Sequence, residues 1–155
     1  MSVPLLLCLG LVVGVTDGDT LKIRCEQPNL GEIKVRFDEI DAPEKGQAFG
    51  NKAKQVLSDL AFEKTVRVLR TDTDKYGRTT ARVELDYSGL ELNFEMVRQG
   101  YAWCYTKYLV RVDACQALEA NARRARLGLW ADANPQPPSD WRHARKIGWP
   151  DKRRE

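Results

Sequence analysis

The stretch from Lys34 to Glu44 constrains the fold most, because a strand pattern there runs directly into a group of carboxylates. Apolar and charged residues alternate over residues 33–38, which is the period-two signature of a half-buried strand. Pro43 has no N–H and disfavours helix in the residue before it, so the strand is predicted to end there and to present Asp41 and Glu44 on a stiff loop. Crowded carboxylates repel one another, so we expect a cation or an arginine to balance them.

The rest of the chain predicts further strands and three helices. Asp17-Gly18 between two strand patterns predicts a hairpin, and a second hairpin is predicted over residues 65–85. Apolar spacing predicts an amphipathic helix over residues 49–60, and two more helices are predicted over residues 93–99 and from a capping box at Asp113. Five short strands with a helix between the third and the fourth favour an α+β fold, a five-stranded OB-fold Greek-key β-barrel capped by three α-helices.

With 155 residues, the chain is long enough for one domain with its own core. The first strand is predicted to begin at Gly10. Regular periodicity ends near Ala131, so we expect residues 1–133 to form the domain and residues 134–155 to form a loosely attached, proline-containing basic tail. From Arg123 to Glu155 there are nine Lys and Arg against four Asp and Glu. This basic end either raises the affinity for a polyanion or is a solvated arm.

The cysteines show no C-x-x-C pair, and His143 is the only histidine, which argues against a zinc site. Pairing of Cys8 with Cys25 and of Cys104 with Cys115 fits the predicted elements that these residues flank. Four separate buried thiols are the alternative, and the sequence leaves both possibilities open.

Residues 1–13 are apolar and uncharged but too short to cross a bilayer, and no Lys or Arg precedes them. They are either a truncated export signal merged with the first strand or that strand alone. We therefore expect a secreted or periplasmic protein that does not associate with a membrane, with the cytoplasm as the alternative location.

Four motifs in matching order and spacing resemble the staphylococcal nuclease (thermonuclease) family. They are Val15-Thr-Asp-Gly-Asp-Thr20, Val35-Arg-Phe-Asp-Glu-Ile-Asp-Ala-Pro-Glu44, Asp74-Lys-Tyr-Gly-Arg78 and Leu92-Asn-Phe-Glu-Met-Val-Arg-Gln-Gly100. Each motif alone is common turn or helix material, but four in register are specific, and the similarity covers roughly residues 12–130. The resemblance implies an OB-fold phosphodiesterase that depends on calcium and acts on DNA and RNA.

The resemblance also implies a metal site. Asp19 and Asp41 correspond to the carboxylates that hold Ca²⁺, with the backbone carbonyl of Ala42 as a third oxygen ligand. Oxygen ligands without histidine or thiolate are what this hard cation prefers. Water, Glu44 acting through water, and the substrate phosphate would complete the coordination shell.

Three side chains correspond to the family's catalytic groups. Glu44 matches the general base, or the group that orients the attacking water. Arg36 and Arg78 match a pair of phosphate-binding arginines, whose planar forks can meet the charge that develops on the equatorial phosphate oxygens. An isolated arginine is more often part of a surface salt bridge, but the joint placement of these two in matching motifs favours the functional interpretation.

Substrate contacts are implied by further positions. Lys75 and Tyr76 match residues that contact a terminal phosphate, and Tyr108 matches an aromatic residue near a bound base, where stacking is sequence-tolerant. The chain departs from the staphylococcal protein in a much shorter loop after Glu44, in Ala42 in place of a threonine, and in the basic segment from Arg142 to Arg154, which has no counterpart there.

The expected function is therefore Ca²⁺-dependent hydrolysis of DNA and RNA that is single-stranded or locally unpaired, by a monomer, leaving 3′-phosphate products. A non-catalytic OB-fold module that binds nucleic acid or a protein is the alternative. The presence of the full acid and arginine set favours the enzyme.

Overall fold

A computed structural model describes residues 5–107 and 109–146 of the chain. The strands of this part are β1 (Leu5–Asp17), β2 (Thr20–Cys25), β3 (Glu32–Phe37), β4 (Ile40–Asp41), β5 (Thr65–Thr73), β6 (Thr79–Leu85) and β7 (Trp103–Cys104). The helices are α1 (Gly50–Ala61), α2 (Leu92–Arg98), α3 (Val112–Arg124) and α4 (Pro138–Lys146), together with a short 3₁₀ helix (Gly128–Ala131).

Five strands close into a barrel in the order β1-β2-β3-β6-β5. Strands β3 and β6 run parallel, and the other neighbouring pairs are antiparallel. The long strand β1 serves two neighbours, since residues 10–17 pair with β2 and residues 5–11 pair with β5. Alternate side chains of these strands fill the interior with residues such as Val12, Ile23, Val35, Val68 and Val83, which are fully buried. The predicted α+β OB-fold barrel is confirmed.

The β1–β2 hairpin forms where Asp17-Gly18 predicts it. The Oδ1 atom of Asp17 accepts a hydrogen bond from the backbone N–H of Asp19 at 3.2 Å, which closes the turn. A Cβ atom on Gly18 would lie 2.8 Å from the Cβ atoms of both Ala42 and Ala53. Glycine therefore lets the tip of the hairpin pack directly against the loop after β4 and against α1.

Two predicted boundaries differ from the structure. Strand β1 begins at Leu5, five residues before the predicted start at Gly10, and residues 5–13 belong to the barrel wall. For these residues the structure agrees with the interpretation of the apolar N-terminal segment as part of the first strand. The N-cap of α3 is Arg111, without a side-chain capping bond, so the predicted capping box at Asp113 is wrong. The helix ends at Arg124, because Arg126 adopts a left-handed conformation with φ of 53°.

A fourth helix occupies part of the predicted tail. Residues 138–146, which we predicted as part of a loosely attached tail, form the helix α4, and Arg142 of this helix contacts the predicted site. Three helices were predicted and the described part contains four. The division between residues 133 and 134 stays a prediction, and residues 147–155 lie outside the described residues.

Disulfide bonds join Cys8 of β1 to Cys25 of β2, and Cys104 of β7 to Cys115 of α3. The structure thus has the local pairing rather than four separate thiols. Among the residues described, none of the helices has the length and apolar character that a membrane crossing requires.

Candidate active site

Asp19 lies in the β1–β2 turn, immediately before β2, and is 5% exposed. Its Oδ2 atom accepts a hydrogen bond from the backbone N–H of Ala42 at 2.8 Å, and its Oδ1 atom accepts one from the hydroxyl of Thr20 at 3.0 Å. The carboxylate of Asp19 is therefore fixed against the backbone of Ala42, which directly follows Asp41 and lies twenty-three residues after Asp19 in the chain.

Asp41 is held by a two-stranded pairing that the sequence did not indicate. Strand β4 pairs antiparallel with β7, so that Asp41 lies opposite Trp103. The turn before β4 is made by Glu39, which has a left-handed φ of 68°. Asp41 is 3% exposed. Because β4 pairs with β7, the position of Asp41 depends on a strand from the other half of the chain.

Arg36 joins the two aspartates. Its Nη1 atom lies 3.4 Å from Oδ2 of Asp19, and its Nη2 atom donates to Oδ1 of Asp41 at 3.3 Å. Nη1 also donates to the backbone carbonyl of Phe37 at 2.5 Å, which fixes the guanidinium against its own strand. The predicted ligands Asp19 and Asp41 are thus close enough to share one guanidinium, and the arginine balances them as we expected.

The electrostatics of the aspartates differ. Burial raises the pKa of Asp19, but the charge of Arg36 and hydrogen bonds from its neighbours outweigh this, so that its pKa is lowered. Burial, together with the charge of Asp19, raises the pKa of Asp41 in spite of hydrogen bonds from Arg142 and the charges of both arginines. Burial and the charge of Asp19 also raise the pKa of Asp17 to about 7. The three carboxyl groups at the hairpin end therefore differ in how readily each one ionises.

Glu44 contacts an arginine that the sequence analysis did not assign to the site. Its Oε1 atom accepts a hydrogen bond from Nη1 of Arg142 at 2.7 Å. Arg142 also donates from Nη2 to Oδ2 of Asp41 at 2.9 Å and from Nη1 to Oδ1 of Asp41 at 3.3 Å. The backbone N–H of Glu44 donates to Oε1 of Gln47 at 3.1 Å. Glu44 and Asp41 are thus bridged through a residue of α4.

The donor set fits a hard cation in its chemistry. Asp19 and Asp41 supply buried carboxylate oxygens, Glu44 supplies another, and the backbone of Ala42 lies against Asp19. Within residues 5–107 and 109–146, no three acidic, histidine or cysteine side chains are grouped closely enough to hold a metal ion as they stand. The guanidinium of Arg142 lies between Asp41 and Glu44 and donates hydrogen bonds to both carboxylates.

The predicted residues at the β5–β6 tip are not in contact with these carboxylates. Arg78 donates from Nε to Oδ2 of Asp74 at 2.7 Å, and its guanidinium carbon lies 5.5 Å from the ring centre of Tyr76. The Nζ atom of Lys75 lies 5.1 Å from the same ring. Arg78 directly precedes β6, in which Thr80 pairs with Arg36 in parallel register. Its backbone is therefore near β3, while its side chain is paired locally.

Tyr108, the predicted base-stacking residue, lies outside the described residues. The roles assigned to Arg36, Glu44 and Arg78, to Lys75 and Tyr76, and to Asp19, Asp41 and Ala42 stay predictions. What the structure adds is their arrangement, in which the predicted metal ligands and Arg36 meet and the tip residues form a separate group.

Sequence reasoning missed a buried ion-pair network behind β4. Glu39 has a fully buried side chain, and it accepts hydrogen bonds from the backbone N–H and Nε of Arg111, both at 2.9 Å. Arg82 donates to the same carboxylate at 3.3 Å. Arg111 further donates to both carboxylate oxygens of Glu91. The signal in the sequence is Glu39 itself, which stands where the alternation of residues 33–38 would place an apolar, buried residue.

Comparison with known proteins gives a consistent result. A family model described as "Staphylococcal nuclease homologue" matches residues 34–132. A Haemophilus influenzae protein named an uncharacterised endonuclease is 50% identical over 136 residues, which cover 88% of this chain and 74% of that protein. The micrococcal nuclease of Shigella flexneri is 45% identical over 145 residues, covering 88% and 82%. Protein ParB of Escherichia coli is 40% identical over 142 residues, covering 86% and 78%.

Proposed function

The chain belongs to the staphylococcal nuclease family, and from that premise we propose that it is a nuclease that hydrolyses phosphodiester bonds of DNA and RNA with Ca²⁺. The main support for this proposal is that Asp19 and Asp41 both form ion pairs with Arg36. These residues come from the β1–β2 turn, from β4 and from β3. Two buried aspartates at one point repel each other, whereas carboxylate oxygens are ligands that Ca²⁺ prefers.

Asp19 and Asp41, with the carbonyl of Ala42, would hold the cation. When bound, Ca²⁺ supplies Lewis-acid polarisation of the phosphate and offsets charge on its oxygens. The contribution of the chain is to fix these oxygens in advance. The hydrogen bonds from Ala42 and Thr20 to Asp19 fix one carboxylate, and the β4–β7 pairing fixes the other.

Glu44 is the proposed base, or the group that aligns the attacking water. Its side chain is one-third exposed at the edge of the buried aspartates, so water can reach it. The interaction between the Glu44 backbone and Gln47 positions this loop. An ionised carboxylate at hydrogen-bond reach of a water molecule can accept its proton as the new P–O bond forms. The bond between phosphorus and the 5′ oxygen breaks in the same displacement, so that the products are a 3′-phosphate and a 5′-hydroxyl.

Arg36 and Arg78 are the proposed phosphate ligands. Arg36 is already inside the site. Arg78 lies two residues before Thr80, which is the residue of β6 that pairs with Arg36. Continued strand alternation would place Arg78 on the same face as Arg36, about 7 Å along the strand direction. Release from the partly exposed Asp74 would let its guanidinium turn toward a phosphate, since exposed ion pairs are weak.

The substrate is proposed to be single-stranded or locally unpaired and to leave 3′-phosphate ends, with Lys75 and Tyr76 at a terminal phosphate and Tyr108 against a base. Tyr76 is 72% exposed, which suits an aromatic residue awaiting a ligand. The protein is proposed to act as a monomer. Two disulfides also support the proposal that it works in an oxidising compartment, secreted or periplasmic.

The experiment is hydrolysis of denatured DNA and of RNA in Ca²⁺, in EGTA, and by the Glu44→Gln variant. We expect cleavage of both substrates in Ca²⁺ only, and a rate for Glu44→Gln that is lower by at least about a hundredfold. Glu63→Gln is a matched control, since Glu63 lies in the α1–β5 connection, away from the site. Substrate binding with no metal-dependent cleavage would favour the non-catalytic module instead.

A further inference from the structure

Arg142 is the most extensively bonded partner of the candidate cation ligands. Two of its nitrogen atoms face the two carboxylate oxygens of Asp41, at 2.9 and 3.3 Å, and one also donates to Glu44 at 2.7 Å. This is the forked geometry in which a guanidinium binds a carboxylate best. The other arginine at Asp41, Arg36, makes one contact, at 3.3 Å.

The helix that carries Arg142 is lightly attached to the rest of the protein. Of the nine residues of α4, all of them described, only Pro138 is buried. The ring of Trp141 faces Gly46 in the loop after β4, and Nε2 of Gln47 donates to the carbonyl of Gln136 just before the helix, at 2.7 Å. A helix of this length is marginal by itself in water. The bonds of Arg142 are therefore a substantial part of what keeps α4 in place.

A cleft beside α4 connects the site with solvent. It has a volume of about 220 Å³ and lies between the start of α4, at Pro137 and Pro138, and strand β7, at Trp103 and Cys104. Asp41 forms part of its wall. The helix end is thus not packed tightly against the barrel at this point, and there is room beside Asp41 for water and ions.

The guanidinium of Arg142 and a divalent cation are alternative partners for the carboxylates of the site. Asp19, Asp41 and Glu44 carry three negative charges, and Arg36 and Arg142 carry two positive charges. A divalent cation in place of Arg142 would bring the sum to zero. The cation also needs the oxygen atoms of Asp41 that Arg142 now binds, so both cannot bind them together.

We propose that Arg142 competes with the divalent cation for Asp41 and Glu44, and that cation binding releases helix α4 from the site. This inference rests on the proposed function, because it takes Asp19 and Asp41 as the cation ligands. The apparent affinity for the cation is then lowered, because the cation can bind only those protein molecules in which Arg142 is not paired with Asp41 and Glu44.

Isothermal titration of the full chain with Ca²⁺ tests the competition. We expect Arg142→Met to bind Ca²⁺ about tenfold more tightly than the natural sequence, because the competing charge is gone. Lys146→Met is the matched control: it removes one positive charge from the same helix, and Lys146 is exposed, so its Ca²⁺ affinity should stay unchanged. Equal or weaker Ca²⁺ binding by Arg142→Met would overturn the proposal.

Hydrogen exchange of the natural sequence tests the release without any substitution. Amides of residues 138–146 should exchange faster in Ca²⁺ than in EGTA, while those of β2 and β3 should not. Unchanged exchange of α4 would overturn the proposal. In Arg142→Met, α4 should exchange fast under both conditions, because the bonds that retain it are absent.

Cleavage assays on the same samples distinguish a failure of the proposed competition from a failure of the proposed function. If the natural sequence binds Ca²⁺ and cleaves, but Arg142→Met has the same Ca²⁺ affinity, the competition fails and the proposed function stands. A raised KM for nucleic acid in Arg142→Met with unchanged Ca²⁺ affinity would make Arg142 a substrate ligand and would likewise overturn the competition. No Ca²⁺ binding and no cleavage by the natural sequence would overturn both.

Discussion

Arg36 and Asp41 form an ion pair across the end of β3, with Nη2 of the arginine 3.3 Å from Oδ1 of the aspartate. The same guanidinium lies 3.4 Å from Asp19. All three side chains are at least 85% buried, so water screens their charges poorly. Arg36 therefore has a structural role as the counter-charge of two aspartates, besides its proposed contact with phosphate.

Arg36→Met should lower the free energy of unfolding by about 3 kcal/mol in EGTA, because it leaves two buried carboxylates without their counter-charge. Ca²⁺ should restore part of that loss, since a cation that binds only the folded state stabilises it. Urea denaturation with and without Ca²⁺ measures both effects. Arg24→Met is the control, because Arg24 makes an exposed ion pair on β2 and should cost less than about 1 kcal/mol. Equal stabilities of the two variants would contradict the structural role.

Arg78→Lys should lose activity far more than stability. Its ion pair with Asp74 is partly exposed and is worth less than about 1 kcal/mol, whereas lysine cannot reproduce a forked contact with phosphate. We expect kcat/KM to fall by at least about tenfold while the urea midpoint hardly moves. Arg67→Lys, on the outside of β5, is the matched control. Near-normal turnover by Arg78→Lys would show that the fork is not needed.

Glu39→Gln should be among the most destabilising single changes in the barrel. The substitution leaves the guanidinium groups of Arg111 and Arg82 without the buried carboxylate that they bind, at a cost of about 3 kcal/mol or more. Equilibrium urea unfolding measures the loss. Glu32→Gln, in an exposed ion pair, serves as the control. A loss no larger than that of the control would mean that the network contributes little.

The same network predicts how acid acts on stability. Burial raises the pKa of Glu39, but hydrogen bonds and charge from Arg111 and Arg82 outweigh it and hold the pKa below its ordinary value of 4.5. A depressed folded-state pKa contributes stability that is complete above 4.5 and is lost as the pH falls through the folded-state value. Stability of Glu39→Gln should therefore fall less steeply below pH 4.5 than that of the natural sequence. Parallel curves would contradict this assignment.

Both disulfides should be formed in protein made in an oxidising compartment. Thiol titration in denaturant should find no free cysteine before reduction and four after it. Each bond closes a short loop, with sequence separations of 17 and 11 residues, so replacing either pair with alanine should cost about 3 kcal/mol. Four titratable thiols without reductant would contradict the pairing and the proposed compartment.

Local patterns in the sequence were sufficient for most of the fold. The alternation over residues 33–38 predicted β3, and Asp17-Gly18 predicted the hairpin that positions Asp19. These signals work because strand alternation and turn chemistry depend on neighbouring residues. Four motifs in register then indicated the family.

Contacts between distant parts of the chain were not predictable in this way. Arg142 meets Glu44 across 98 residues, and Arg111 meets Glu39 across 72. In the sequence each arginine looks like a solvated charge, since nothing nearby indicates its partner. Helix α4 also contains few apolar residues, namely Pro138, Trp141 and Ala144, so the local sequence predicts a tail there and not a helix. Pairing of such charges depends on tertiary structure and not on local periodicity.

Asp19 and Asp41 are proposed to hold one divalent cation between them, and diffraction can locate that cation. Crystals of the full chain grown with Mn²⁺, which accepts the same oxygen ligands as Ca²⁺, give an anomalous signal at the metal. We expect one strong peak about 2.0–2.6 Å from carboxylate oxygens of both aspartates. No peak between Asp19 and Asp41, in crystals of protein that cleaves DNA with the same cation, would contradict it.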